Sequence, residues 1–220
     1  MTEKDVAKIE SALLRRLKPW VGRSSHLIAE KVRDARAHAD KALSETLKNT
    51  PDGRATAAKI QRSPSYQAAN RRLGELKTDV IALIRDARAE FYRGSVDLWL
   101  PFIPERFRSV RDPVPTSKGE ALMRGAIIHG YTLEQEIQPG VEQAKTRLAV
   151  ALNAAARRRL RSEVATDLLD LWRTDTTNQL TARAISALSD SDSAIHQTVG
   201  LIVIKDEYRG DVFPAIHGAV

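Results

Sequence analysis

The side chains that could carry acid–base or metal chemistry are scattered along this sequence. Its histidines are His26, His38, His129, His196 and His217, and no two of them stand four residues apart beside a glutamate, as they do on a zinc-binding helix. The chain has no cysteine, which excludes thiolate ligands, disulfide bonds and thiol nucleophiles. The sequence therefore predicts neither a metal site nor a cofactor.

Motifs for nucleotide binding and acyl transfer are also missing from the sequence. It contains no GxxxxGK[ST], no GxGxxG and no GxSxG. Asp190 and Asp192 start like a calcium loop, but the glycine and the distal glutamate of such a loop are missing, which favours a plain polar loop. We therefore expect no enzyme, but a protein that binds other macromolecules. An enzyme whose site is assembled from dispersed residues is a third, weaker alternative.

One arginine cluster could contact phosphates. It consists of Arg157, Arg158, Arg159 and Arg161, at the end of a predicted helix. Guanidinium groups bind phosphate oxygens and fix a protein on nucleic acid. Four cations at the carboxyl end of a helix also stabilise the helix dipole, and we favour that structural role.

A second group of residues stands out by its order along the chain. The run WRTDTTN at residues 172–178 lies on a predicted helix, and an apolar, β-branched run follows at residues 198–204. Directly after it come KDEYR at residues 205–209 and then AIHG at residues 215–218. This order resembles the C-terminal domain of the phage head-morphogenesis family, the Mu F-like minor head proteins. In that family an Arg-Thr-acid helix precedes a strand, an acidic turn with two cysteines and a His-Gly element.

The resemblance covers residues 118–220 and implies a set of family-motif positions. These positions are Arg173, Thr174, Asp175, Asp206, Glu207, His217 and Gly218. Gly210 and Phe213 occupy the positions of the family's two cysteines, so a metal knuckle is not expected. We expect Arg173 to form a buried ion pair, with Asp206 as its partner, that fixes the helix against the strand. No nucleophile or general base accompanies these residues in sequence, so a structural role is favoured over an active site.

Charge is distributed unevenly between the two halves of the chain. Residues 1–112 hold 23 Lys and Arg against 15 Asp and Glu, whereas residues 113–220 hold 12 against 13. The basic half could face nucleic acid or an acidic protein surface. A mixed-charge solvated surface explains the same numbers, because acidic residues are interleaved and no aromatic stacking platform accompanies the arginines.

Apolar spacing predicts helices over most of the chain. Residues 3–18 form an amphipathic helix that Pro19 is expected to end, and a second helix is capped by Ser24 or Ser25 and pairs with the first as a hairpin. Its apolar line is Ile28, Val32, Ala35, Ala39, Leu43 and Leu47. After a break at Ser63-Pro64, a long helix carries a seam with steps of three and four. The seam consists of Leu73, Leu76, Val80, Leu83, Ala87 and Phe91, and we expect it to pack within the chain.

The second half is predicted to be helical up to a short strand. Thr132 and Gln135 match a capping box, Pro139-Gly140 is expected to interrupt, and a helix follows over residues 141–160. The next helix begins at Arg161-Ser162. Its inward face is predicted to consist of Val164, Leu168, Leu171 and Trp172. Residues 199–204 are the one convincing strand.

These patterns predict a mainly α fold with a small C-terminal β element, a long central helix and a helical N-terminal region. We divide the chain into a basic helical region (1–93), a packed Pro-rich crossover (94–117) that begins with a helix break at Gly94, and an α+β region (118–220). No run reaches the roughly 18 apolar residues that a membrane-spanning helix needs, so no membrane partner is expected.

By the resemblance, the expected function is that of a structural or assembly protein in a tailed-phage or prophage virion. It would be a minor head protein at the portal or inner capsid, assembled in the bacterial host cytoplasm as part of a larger assembly. Its partners would be portal, capsid or scaffold proteins and, through the basic half, double-stranded DNA without sequence preference. The alternative is a host helical DNA-binding or regulatory protein that uses the same basic half.

Overall fold

The computed structural model describes residues 3–49, 57–102, 105–107, 132–157 and 162–189. Within these ranges the chain forms helices and no strand. The mainly α fold is thereby confirmed, whereas the predicted strand at residues 199–204 lies outside the described residues. The helices are α1 (Glu3–Lys48), α2 (Ala57–Arg62), α3 (Pro64–Trp99), α4 (Leu133–Arg157) and α5 (Ser162–Ser189), with 3₁₀ turns at Leu100–Phe102 and Glu105–Phe107.

Helix α1 runs from Glu3 to Lys48 with Pro19 inside it, so the predicted helix end at Pro19 and the predicted hairpin are wrong. An interior proline removes one backbone hydrogen bond and costs about 3 kcal/mol. A break would instead leave up to four carbonyls and four N–H groups without helical partners. The continuous helix is the less costly choice. Ser24, expected as a cap, is fully buried within α1, and the apolar line that begins at Ile28 is buried up to Leu43, with Leu47 half-buried.

The predicted break at Ser63-Pro64 is confirmed, and its hydrogen bonds explain it. Ser63 Oγ accepts a bond from the backbone N–H of Tyr66 at 3.2 Å, which is the geometry of a helix N-cap. Pro64 is the first residue of α3, where its missing N–H has no helical partner in any case. Every residue of the predicted seam is buried except Leu83, which is half-buried.

Helix α3 continues through Gly94 to Trp99, so the predicted break at Gly94 is wrong. A glycine in a helix interior costs only about 1 kcal/mol relative to alanine, too little to end a well-packed helix. Val96 and Leu100, at the start of the predicted crossover, are buried at 4% and 7% exposure. Most of residues 103–131 lies outside the described part of the chain.

Helix α4 begins at Leu133, directly after Thr132, as predicted. It continues through Pro139 and Gly140, so the expected interruption there is wrong. As in α1, one lost hydrogen bond is less costly than two new helix ends. Helix α5 then covers Ser162–Ser189, close to its predicted bounds.

The inward face of α5 differs from the predicted one. Val164 and Leu171 are 44% and 59% exposed, and Leu168 is half-buried, while Trp172 is buried at 5%. The buried face consists of Ala165, Leu169, Trp172, Thr176, Leu180, Ala184, Ala187 and Leu188. Both faces of this helix carry apolar residues at helical spacing, so periodicity favoured the wrong one.

The chain divides into two compact units. Unit one comprises Met1–Gly22, Ala82–Leu133 and Ile185–Val220, and unit two comprises Arg23–Ile81 and Glu134–Ala184. In the described part of unit one, α3 is buried on most of its circumference. Its buried residues there are Ile84, Ala87, Arg88, Ala89, Phe91, Tyr92, Gly94, Ser95 and Val96.

Unit two contains a bundle of four long helices, whose directions follow from polar contacts. Lys31 Nζ lies 2.8 Å from Asp79 Oδ2, and Ser65 Oγ donates to Glu45 Oε2 at 2.9 Å, so α1 and α3 are antiparallel. The α3 segment of this unit extends to Ile81, and Lys77 Nζ on it lies 3.5 Å from Gln138 Oε1 of α4.

A second antiparallel pair completes the bundle. The Trp172 indole N–H donates to the carbonyl of Ala144 at 2.9 Å, and Arg183 Nη1 donates to the carbonyl of Glu136 at 3.1 Å. These two bonds make α4 and α5 antiparallel. The core between the four helices includes Ile28, Val32, Leu43, Leu73, Leu76, Val80, Ile137, Leu148, Leu152, Leu169 and Leu180.

Gly140 marks a close approach between α4 and α5. A Cβ built on it would lie 2.9 Å from Leu180 Cδ2 and 2.8 Å from Arg183 Cδ, closer than carbon atoms normally come. Gly140 is therefore the position at which side-chain bulk would push the two helices apart. Among the described helices, none is both long and apolar enough to cross a bilayer.

Candidate interaction surface

The family-motif residues of α5 lie on its accessible side. Thr174 and Asp175 are exposed, and the side chain of Arg173 is 43% exposed. The Nε atom of Arg173 is nevertheless buried, and the expected ion pair of this residue stays a prediction. Its proposed partner Asp206 lies outside the described residues, as do Glu207, His217 and Gly218.

Arg173 takes part in an ion cluster around Asp170. Its Nε lies 3.5 Å from Asp170 Oδ1, one turn earlier on α5. Arg36 of α1 donates to the same carboxylate through Nε at 3.1 Å and Nη2 at 3.4 Å. The Asp170 carboxylate thus joins α1 and α5 of unit two through a bidentate contact with Arg36. Arg36 and Asp170 were not recognised in the sequence, because nothing in their local spacing links positions so far apart in the chain.

The arginine cluster, for which a role at the helix end is favoured over phosphate contact, lies mostly outside the described residues. Arg157 is the last residue of α4, but its side chain and the residues Arg158, Arg159 and Arg161 lie outside the described part. In the ranges that are described, no group of three or more His, Asp or Glu side chains is arranged to hold a metal ion.

Exposed positive charge is concentrated on α1. Among its side chains with described burial, nine lysines and arginines are exposed, whereas Glu30 is the one exposed acid. The nine cations are Lys4, Lys8, Arg15, Arg16, Lys18, Arg23, Arg33, Lys41 and Lys48. By the same criterion α2 exposes two cations and no acid, α3 two cations and three acids, α4 one of each, and α5 one cation and two acids. Most of the exposed positive charge of the described helices therefore lies on α1, with two further exposed cations, Lys59 and Arg62, on α2.

Many of these cations fall on a single line, which we call the outer stripe. Its positions step by three or four along α1, and every one of them is exposed. The portion in unit one is Lys4, Lys8, Ser11, Arg15, Lys18 and Gly22. The portion in unit two is His26, Ala29, Arg33, Ala37, Lys41, Ser44 and Lys48. Each position holds a basic residue or a small uncharged one, and none holds an acid.

In unit two, three acids of α1, Asp34, Asp40 and Glu45, are half-buried at the edge of the packed face, whereas Glu30 is exposed and its Oε2 lies 4.0 Å from Nε2 of His26 on the stripe. Half-buried cations of α1 in turn pair with acids of neighbouring helices. Lys31 Nζ contacts Asp79 at 2.8 Å and Glu75 at 3.7 Å. Hydrogen bonding to Asp79, and the charges of both acids, raise the pKa of Lys31 above its ordinary value.

Glu75 is held by a second cation as well. Arg72 Nη1 donates to its Oε2 at 2.8 Å, and this hydrogen bond is the main reason that the pKa of Glu75 is lowered. The acids in contact with α1 at this point are thus already paired with cations. The cations of the outer stripe lie on the accessible side of the helix, where Lys41 Nζ is 3.9 Å from Glu45 Oε1.

The outer stripe was not recognised in the sequence, although its residues carry a signal. With a helix end expected at Pro19, the N-terminal region was divided and no face was followed across it. Steps of three and four residues from Lys4 to Lys48, taken along one continuous helix, pass through a series of positions without acids. The count of 23 basic against 15 acidic residues in residues 1–112 does not reveal the outer stripe, because the acids of that half lie outside the stripe positions.

Comparison with known proteins adds no relationship to these observations. No protein-family model, no curated protein and no solved structure matches the chain.

Proposed function

We propose that the protein is a structural or assembly component of a tailed-phage or prophage virion, a minor head protein at the portal or inner capsid. It acts by contact with portal, capsid or scaffold proteins and with the packaged DNA, and it is assembled in the bacterial host cytoplasm. The family motif order in residues 172–218 supports the virion role. The observation that carries a binding role is the outer stripe of α1.

A binding role suits the described side chains better than a catalytic one. Catalysis needs a nucleophile or a general base within hydrogen-bond reach of a partner in a site that excludes water. Asp170 is engaged by two guanidinium groups and joins two helices. Thr174 and Asp175 of the motif lie exposed and are free to contact a partner protein.

Coexpression tests the virion role directly. The full chain would be produced together with the portal, capsid and scaffold proteins encoded beside it, and assembled particles would be purified on a density gradient. We expect the protein in the particle fraction by mass spectrometry, at few copies per particle. Recovery in the soluble fraction alone, with no trace in particles or on isolated portals, would refute the proposal.

The alternative is a host helical DNA-binding or regulatory protein, which the outer stripe also supports. Such a protein would associate with host DNA in cells that produce no particles. Crosslinking of the full chain to the host chromosome, together with its exclusion from particles, would favour this alternative.

A further inference from the structure

The composition of the outer stripe is typical of a surface that binds nucleic acid and not of one that binds an acidic protein. Protein–protein interfaces bury a core that is rich in aromatic and large apolar side chains. The large apolar side chains that the described residues expose are Val150, Val164 and Leu171, and none of them is on α1. Interfaces with DNA are more polar and much more positively charged.

The small residues of the stripe support the same conclusion. In unit two, Ala29, Ala37 and Ser44 alternate with Arg33, Lys41 and Lys48. Because these side chains are short, they do not protrude from the helix between the cations, and a phosphate backbone can approach α1 closely. An acid at any of these positions would repel it, and none is present; Glu30, the exposed acid of α1, lies beside the stripe with its Oε2 4.0 Å from Nε2 of His26.

Dimensions along the helix also fit duplex DNA. From Arg33 to Lys48 is fifteen residues of continuous helix, which is about 22 Å at 1.5 Å per residue. Over about 22 Å, duplex DNA carries roughly 13 phosphate charges, one for each 1.7 Å or so. Each of the three cations in this portion therefore has several phosphates within reach. Binding needs no particular register and no base contact.

We infer that the outer stripe of α1 binds the phosphate backbone of double-stranded DNA, without reading its sequence. The inference rests on the DNA contact in the proposed function and assigns it to the cations of α1. Each unit is tested through its own portion. Arg16 is left out because its guanidinium lies against Gly94, so that its loss would also change packing.

The experiment compares three triple variants of the full chain. One variant replaces Lys8, Arg15 and Lys18 with Gln. The second replaces Arg33, Lys41 and Lys48 with Gln. The matched control changes Arg62, Arg71 and Arg147, which are exposed on α2, α3 and α4, and so removes the same charge elsewhere. Glutamine is a good helix former, so the helices should be retained, and circular dichroism confirms this for each variant. Binding to a fluorescent 30-base-pair duplex is measured by anisotropy between 50 and 200 mM salt.

We expect the parent's affinity to fall with salt along a linear log–log plot. At least one stripe variant should bind roughly a hundredfold more weakly at 0.1 M salt, with a slope lower by about three. The control variant should stay within a few-fold of the parent, and duplexes of different sequence should bind alike.

Three results would overturn the inference. Equal losses in the control and stripe variants would mean that net charge alone drives binding. Retention of parental affinity in both stripe variants would exclude the stripe. Stripe-dependent binding of poly-glutamate without binding of DNA would identify an acidic protein as the partner. Because particle association is measured separately, a protein found in particles whose stripe does not bind DNA would refute this inference alone.

Discussion

The close approach at Gly140 predicts how two glycine substitutions in helices will differ. Gly74 of α3 and Gly140 of α4 are both interior helix residues. A Cβ on Gly74 would meet no atom within 4 Å, whereas a Cβ on Gly140 would lie 2.9 Å from Leu180 Cδ2. Leu180 is itself buried at 3% exposure, so its methyl group has little freedom to move away.

The expected free energies follow from two opposing effects. Alanine favours a helix interior over glycine by about 1 kcal/mol, and it also restricts the unfolded chain. Both variants gain this effect, so Gly74→Ala should raise the free energy of unfolding by about 0.5–1 kcal/mol. At Gly140 the added methyl group overpacks the contact with α5, which typically costs about 1–3 kcal/mol. Gly140→Ala should therefore be less stable than Gly74→Ala by about 1–3 kcal/mol.

Urea unfolding of the two variants and the parent measures this difference. A third variant, Gly140→Ala with Leu180→Ala, removes the methyl group that the new Cβ would meet. Measured against Leu180→Ala alone, the penalty of Gly140→Ala should shrink or change sign, because the helix preference remains while the overlap is gone. Equal stabilisation by Gly140→Ala and Gly74→Ala would show that α4 and α5 do not approach as described.

Three further outcomes are expected. Trp172→Phe should lower the free energy of unfolding by about 1–3 kcal/mol in urea titrations, since it removes the hydrogen bond to Ala144 and leaves a smaller ring in the core. Arg173→Ala should cost less than about 1 kcal/mol by the same assay, because its ion pair is 43% exposed; a larger loss would indicate a buried partner. Because the pKa of Lys31 is raised and that of Glu75 is lowered in the folded chain, their contributions should be lost above about pH 10.5 and below about pH 4.5. Melts across pH should show Lys31→Gln losing less stability than the parent at the alkaline end, and Glu75→Gln losing less at the acid end.

Local chemistry made much of the helical fold predictable. The seam from Leu73 to Phe91, the start of α3 at Ser63-Pro64 and the start of α4 after Thr132 all depend on residues close in sequence. Apolar spacing and capping side chains act over one or two turns, so a single sequence reveals them.

The errors arose where distant packing outweighs local preference. Pro19 and the Pro139-Gly140 pair are helix breakers in isolation, yet both lie inside helices, because ending a helix leaves more backbone groups unpaired than an interior proline does. In α5, the choice between the face of Leu171 and that of Leu169 depends on where α4 lies. Nothing in the sequence of α5 itself gives that position.

Large separations along the sequence also limited what could be predicted of the candidate interaction surface. The pairing of Arg36 with Asp170 joins residues 134 positions apart and has no local signature. The outer stripe, in contrast, is local to one helix and could have been found once α1 was known to be continuous.

The contact between Arg16 and Gly94 has a consequence for how this sequence can change over time. A Cβ at position 94 would lie 2.7 Å from Arg16 Cζ, so an alanine there requires the arginine side chain to move aside. A shorter residue at position 16 would make room for that alanine but would uncover the backbone of Gly94. Substitutions at these two sites are therefore conditional on each other. In an evolving lineage, we expect positions 16 and 94 to covary.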